Sequence, residues 1–207
     1  DVNKDFVTPD VMNARLEHYI KGVLTHYNEY KFEDGTSAAD MFYGWDIVNE
    51  AMSDSTGKPR KASDNSNWAK VYGDESNEYI INAFRYANKY APKDVNLVYN
   101  DYNCYAGANN KTGGKTNAIL KVIDAIQAAP DARIDAVGMQ AHVQIDYPSV
   151  TGTVSDSFEA AIKKFVAKGL NVQVTELDIA NNKQLYSGIK QKQKYHDYFE
   201  MFIKNKK

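Results

Sequence analysis

The chain has 207 residues, 43% hydrophobic and 25% charged, enough for one globular domain with a sizeable core and without the composition of a disordered segment. A formal net charge of -2 supplies no broad positive field, which excludes nucleic acid and anionic membrane as preferred partners and favours a neutral substrate. Cys104 is the only cysteine, so neither an internal disulfide nor a multi-cysteine zinc site is available, and no apolar run is long enough to span a bilayer.

In chain order, Thr8 before Pro9 is a helix-start signal, and Met12, Leu16, Tyr19, Ile20, Val23, Leu24 and Tyr27 then recur at helical spacing. Residues 44–49 are short, apolar and β-branched, and read as a buried strand followed directly by Glu50. Residues 53–67 turn to Ser, Asp, Asn, Gly, Lys and Pro, a long polar loop of the kind that carries function. Ser76 can cap a helix with Tyr79, Ile80, Ala83, Phe84 and Ala87 on one face, stopped before Pro92.

The same alternation repeats, with a strand at 95–99, a Gly- and Asn-rich loop at 106–115, a helix at 116–128 and a strand at 134–139. Asp156 and Glu159 read as the ends of a capping box that opens a helix ended by Gly169. Residues 171–175 read as the fourth strand, and a last helix from about Ser187 carries Tyr195, Tyr198, Phe199 and Phe202 on one side. No linker divides the chain, so residues 1–207 read as one α/β domain of four parallel strands alternating with helices.

Polar residues at the strand ends separate a barrel from a doubly wound sheet. Asn49 with Glu50, Asn100 with Asp101, Gln140 with His142, and Glu176 with Asp178 each follow a predicted strand, where a β/α barrel builds its active site. No glycine-rich phosphate motif of a nucleotide-binding sheet is present. The expected fold is therefore part of a (β/α)8 TIM barrel.

Two glutamates at the ends of separate parallel strands can converge across a barrel mouth, which is the equipment of glycoside hydrolysis. One carboxyl donates a proton to the departing glycosidic oxygen while the other, ionised, attacks the anomeric carbon; the retaining route holds them roughly 5 to 5.5 Å apart. Glu50 and Glu176 are the candidates, against the plainer role of ion-paired residues at strand ends. Asp178, two residues beyond Glu176, points to the same side, so with His142 it can form a carboxylate–imidazole network around the nucleophile. Asn49 can donate an amide hydrogen bond to the hydroxyl beside the anomeric carbon.

Four segments carry a family resemblance: Trp-Asp-Ile-Val-Asn-Glu-Ala at 45–51, Asn-Asp-Tyr-Asn at 100–103, Asp-Ala-Val-Gly-Met-Gln-Ala-His at 135–142 and Val-Thr-Glu-Leu-Asp at 174–178. In this order they resemble glycoside hydrolase family 10, and the opening helix and the loop holding Gly57, Arg60 and Trp68 resemble family counterparts too. The resemblance implies a retaining endo-β-1,4-xylanase without cofactor or metal, acting on xylan or xylooligosaccharides outside the cell. It makes Glu50 the acid/base and Glu176 the nucleophile, with His142 and Asp178 holding Glu176 ionised. It brings Asn49 and Gln140 to the sugar at the cleavage point, and Asn100 and Tyr102 to the leaving-group side.

A complete barrel needs eight strands, and the resemblance covers only what correspond to strands four to seven. Such a piece would have raw edges, and is expected to be unstable and weakly active alone unless further segments or a second copy complete it. Trp45 and Trp68 are expected to be packing residues, and Cys104 receives no role. Two other readings stay open: a metal-dependent barrel using the same carboxylates and histidine, which chelator sensitivity would reveal, and a xylan-binding piece without turnover.

Overall fold

A computed structural model describes residues 5–181 and 188–206. Its α-helices are α1 (Pro9–Glu29), α2 (Asn67–Tyr72), α3 (Glu78–Tyr90), α4 (Gly114–Ala128), α5 (Phe158–Val166) and α6 (Gly188–Asn205). The strands are β1 (Gly44–Asn49), β2 (Asn96–Asp101), β3 (Ala136–Met139), β4 (His142–Gln144), β5 (Asn171–Val174) and β6 (Asp178–Ala180). Four form one parallel sheet in the order β1-β2-β3-β5, and β4 and β6 form a separate parallel pair. The four expected strands are these, within a few residues at their ends.

Alternation along the central strands separates two chemistries. Leu97 and Tyr99 of β2 and Val137 and Met139 of β3 join the core against α3, α4 and α5, whose contributions include Phe84, Ile123 and Phe165. Burying each such side chain contributes about 1.5–3 kcal/mol. The intervening positions, Val98, Asn100, Ala136 and Gly138, lie on the opposite, concave face.

The expectation that β1 is buried needs correcting: only Val48 is fully buried, while Asp46 and Asn49 are exposed. β5 likewise has no fully buried residue. Both strands lie at sheet edges, with a neighbour on one side only, whereas β2 and β3 are covered along nearly their whole length. Beside β5 runs an apolar groove of about 570 Å³ between Val172 and Val174 and the side chains of Ile162, Val166 and Phe202.

Thr8 caps α1 by accepting from Val11 N at 3.4 Å, with Pro9 in the first turn. On α1 only Leu24 is fully buried; Leu16 and Ile20 pack partly against the core and Tyr19 faces solvent. Asn13 joins three helices, its Oδ1 accepting from Tyr72 on α2 at 2.8 Å and Asn82 on α3 at 2.9 Å. The polar loop ends within one residue of the expected position, where Ser66 caps α2 by accepting from Ala69 N. That six-residue helix has too few turns to show a periodic stripe.

Two further expectations shift. Asp156 does not form the capping box: Ser157 is the N-cap of α5, and Asp156 instead accepts from Gly107 N, Tyr147 Oη and Ser155 Oγ. On α6, Tyr198 is buried and Tyr195 and Phe202 pack on the core, but Phe199 is 56% exposed, one residue's rotation away from Tyr198. Ser187 lies outside the described residues. Trp45 stacks on Phe42 at 4.5 Å and Trp68 on Tyr79 at 5.0 Å.

Candidate active site

The parallel ladder continues past the ends of the strands and aligns the polar residues there. Glu50 N donates to Asn100 O at 2.9 Å, Gln140 N to Asp101 O at 3.0 Å and Glu176 N to Gln140 O at 3.1 Å. Four strand ends therefore hold their side chains at nearly one level. The backbone turns sharply there: Glu50 has φ +53° and Ala141, between Gln140 and His142, has φ +64°. Left-handed backbone at residues with a Cβ costs about 1–3 kcal/mol each and persists only where the surroundings enforce it. At Glu50 that enforcement includes Arg60, whose Nε donates to the Glu50 carbonyl at 2.8 Å.

An amide network joins the two glutamates. Gln140 Nε2 donates to Glu50 Oε1 at 3.0 Å and to Asn49 Oδ1 at 3.1 Å. Asn100 Nδ2 donates to the same Asn49 oxygen at 3.0 Å and to Glu176 Oε1 at 3.1 Å. Asn100 and Gln140 are each 2% exposed, so both are enclosed donors, while Asn49 is exposed. Thr175, not among the residues expected at the site, donates its hydroxyl to Asn100 Oδ1 at 2.9 Å and so fixes which way that amide faces.

Gly138 is required beside this network. A methyl group built there would overlap Asn100 Oδ1 and press on Thr175 Cγ2 at 3.2 Å. Gly138→Ala is expected to displace the Asn100 amide and destabilise the fold by about 1–3 kcal/mol through overpacking. Chemical denaturation would read the loss, and an unchanged midpoint and slope would contradict it.

On the other side of Glu176, His142 Nε2 lies 3.3 Å from Glu176 Oε2 and Nδ1 lies 3.0 Å from Asp178 Oδ2. The pairing of β4 with β6 sets His142 opposite Asp178, so the row Glu176–His142–Asp178 is built by backbone register. Carboxylates only accept, so a ring protonated on both nitrogens donates to both partners. Each ring nitrogen thus faces a carboxylate oxygen. Among the described residues no group of three or more His, Cys, Asp or Glu is arranged to hold a metal ion.

Tyr102 follows β2, partly exposed, and its hydroxyl accepts from Arg60 Nη2 at 2.7 Å. Another Arg60 contact reaches Glu50 Oε2 at 3.9 Å, so Tyr102 and Glu50 share one guanidinium. Below lies Lys115, 1% exposed, paired with Asp101 at 2.8 Å and Asp54 at 2.7 Å. Burial alone would lower the pKa of Lys115, but the two carboxylates outweigh it and raise it above the ordinary lysine range. Burial pushes the Asp101 carboxyl up against the opposing pull of Lys115. No pattern along the chain marks this charge, since Lys115 stands at the end of a polar loop like any solvated lysine.

The site and sheet have close counterparts among known proteins. The model of Glycosyl hydrolase family 10 matches residues 2–207. The chain belongs to that family. It is 40% identical over 178 residues to the bifunctional endo-1,4-beta-xylanase XylA of Ruminococcus flavefaciens, an alignment covering 86% of this chain and 16% of that protein. Similarity to a putative endo-1,4-beta-xylanase of Caldicellulosiruptor saccharolyticus is 32% over 209 residues, covering 99% of this chain and 60% of that one. A solved structure of a Clostridium thermocellum endo-1,4-beta-D-xylanase, complexed with xylohexaose, superposes with a TM-score of 0.79 at 31% identity, over 99% of this chain and 38% of that one. The chain thus spans less than two thirds of each of these relatives, and its four-stranded sheet corresponds to an arc of the family's β/α barrel.

Proposed function

We propose that a protein carrying this chain is an endo-β-1,4-xylanase that cleaves internal links of xylan with retention of configuration. The observation that carries this reading is the continuous amide bridge from Glu50 through Gln140, Asn49 and Asn100 to Glu176. Such a bridge holds two carboxyl groups in one site, where a single sugar can meet both.

Glu50 gives its proton to the glycosidic oxygen as the bond to the leaving chain breaks. Glu176 Oε attacks the anomeric carbon from the other face, forming a glycosyl ester. Water then attacks that carbon, Glu50 takes back a proton, and Glu176 departs as carboxylate. The Asn100 amide and the His142–Asp178 pair supply hydrogen bonds to the ionised form of Glu176, which keeps it a competent nucleophile. Because Asn100 and Gln140 are enclosed, they act through the glutamates. The sugar contact falls to Asn49, an exposed residue whose oxygen is taken by both amides, so that its Nδ2 is the group that can donate to a sugar.

Xylan is a neutral polymer, consistent with the weak net charge of the chain. Polymeric xylan is too large to cross a bilayer, so our reading for the polymer as substrate is action outside the cell. The test of retention is proton NMR of the first product released from xylohexaose. The β anomer should appear first and mutarotate afterwards; an initial α anomer would overturn the double displacement.

A further inference from the structure

Lys115 is a buried charge near the site for which the reaction scheme above has no use. Its ammonium lies 3.6 Å from the centroid of the Tyr102 ring, close enough for a strong cation–π contact in a desolvated setting. It also joins two strand ends. Asp54 lies four residues after Glu50, and Asp101 directly follows Asn100, the donor to Glu176. Further bonds stiffen the assembly: Tyr99 Oη donates to Asp101 Oδ2 at 2.7 Å, Tyr102 N to Asp101 Oδ1 at 2.9 Å, and Asn103 Nδ2 to Asp54 Oδ2 at 2.9 Å. Arg60 holds the ring's hydroxyl, so Tyr102 is fixed from its edge and from one face.

We propose that Lys115 is a positioning residue that clamps the Tyr102 ring, through a cation–π contact and ion pairs to Asp54 and Asp101, as a platform for the sugar on the leaving-group side of the cleaved bond. This rests on the xylanase reading given above. A platform of this kind sets which bond of a short oligosaccharide lies over the glutamates. Its loss therefore changes the register of cleavage, and not only the amount of active enzyme.

The experiment is digestion of xylopentaose labelled with 18O at the reducing end by the full-length enzyme, with products sized by mass spectrometry. Lys115→Met should raise KM by roughly tenfold with kcat less affected, the scale of a desolvated cation–π contact. It should also move the preferred cleavage toward bonds that leave a shorter chain on the leaving-group side. Tyr102→Leu should shift the register in the same direction, and the double variant should go no further than the larger single effect. Should Lys115→Met fail to fold, Asp54→Asn removes the exposed arm of the clamp, and a smaller shift of the same sign is expected.

An unchanged register in Lys115→Met, or in Asp54→Asn where the former is unfolded, while Tyr102→Leu shifts it, overturns the clamp and leaves the xylanase reading intact. No cleavage by the unsubstituted enzyme fails the xylanase reading and the clamp with it. The contact has an independent signature in the full-length enzyme. Ring current should move the Lys115 ε-methylene protons upfield, Tyr102→Leu should return them, and unshifted protons in the unsubstituted chain would overturn the clamp without reference to catalysis.

Discussion

Glu176→Ala in the complete enzyme is expected to abolish turnover on every xylose-based substrate, by about 10⁴-fold or more, whatever the leaving group. The glycosyl ester needs an oxygen nucleophile, and the alanine methyl provides neither the bond nor the negative charge that stabilises the oxocarbenium-like transition state. The neighbours cannot substitute. Asn100 and Thr175 are bonded to one another and have no carboxylate to offer, and Asp178 is directed at His142. Steady-state rates on xylan and on an aryl xylobioside with a good leaving group measure this directly. A variant that kept substantial activity on the aryl substrate would remove Glu176 from the nucleophile's role.

Glu50→Ala should behave differently, and the difference identifies it. Removing a general acid costs about 10²–10⁴-fold where the departing group needs its proton, as a sugar alkoxide does. With an activated aryl leaving group the first step should be nearly unharmed, and the ester on Glu176 should then accumulate because the base for its hydrolysis is gone. Added azide, a small anion needing no general base, should enter the space of the lost carboxylate and restore part of the rate as glycosyl azide. The bonds around Glu50 bear on this outcome. Gln140 donates to its Oε1 and Arg60 anchors its strained carbonyl, so a shortened side chain leaves a void lined by donors that suits an anion. Equal losses on good and poor leaving groups, with no azide product, would argue against the acid/base assignment.

Much of this was legible in the residues themselves, and the reason is local. Buried parallel strands need short apolar runs, helices that cover them need stripes at helical spacing, and the polar residues of a barrel site fall just after the strands. Those rules place Glu50, Asn100, Gln140, His142, Glu176 and Asp178 at successive strand ends from the sequence alone, and the ordered motifs name the family. Features without a periodic signature were not legible. The six-residue α2 and the three-residue β4 and β6 are too short to show one, and the N-cap at Ser157 was decided by Asp156 finding other donors.

Burial and partnership were decided only in three dimensions. β1 and β5 have strand composition, but their position at the edges of the sheet leaves them half open. Asn100 and Gln140 read as polar strand-end residues, and only the convergence of β1, β2, β3 and β5 turns them into enclosed donors shared by two glutamates. Lys115 shows the limit most plainly. By itself the sequence determined the fold family and the position of the two glutamates at strand ends, because those depend on periodicity and order along the chain. The burial of Lys115 beneath Tyr102, between carboxylates 61 and 14 residues away in sequence, was decided by tertiary structure, because electrostatic pairing depends on distance through space.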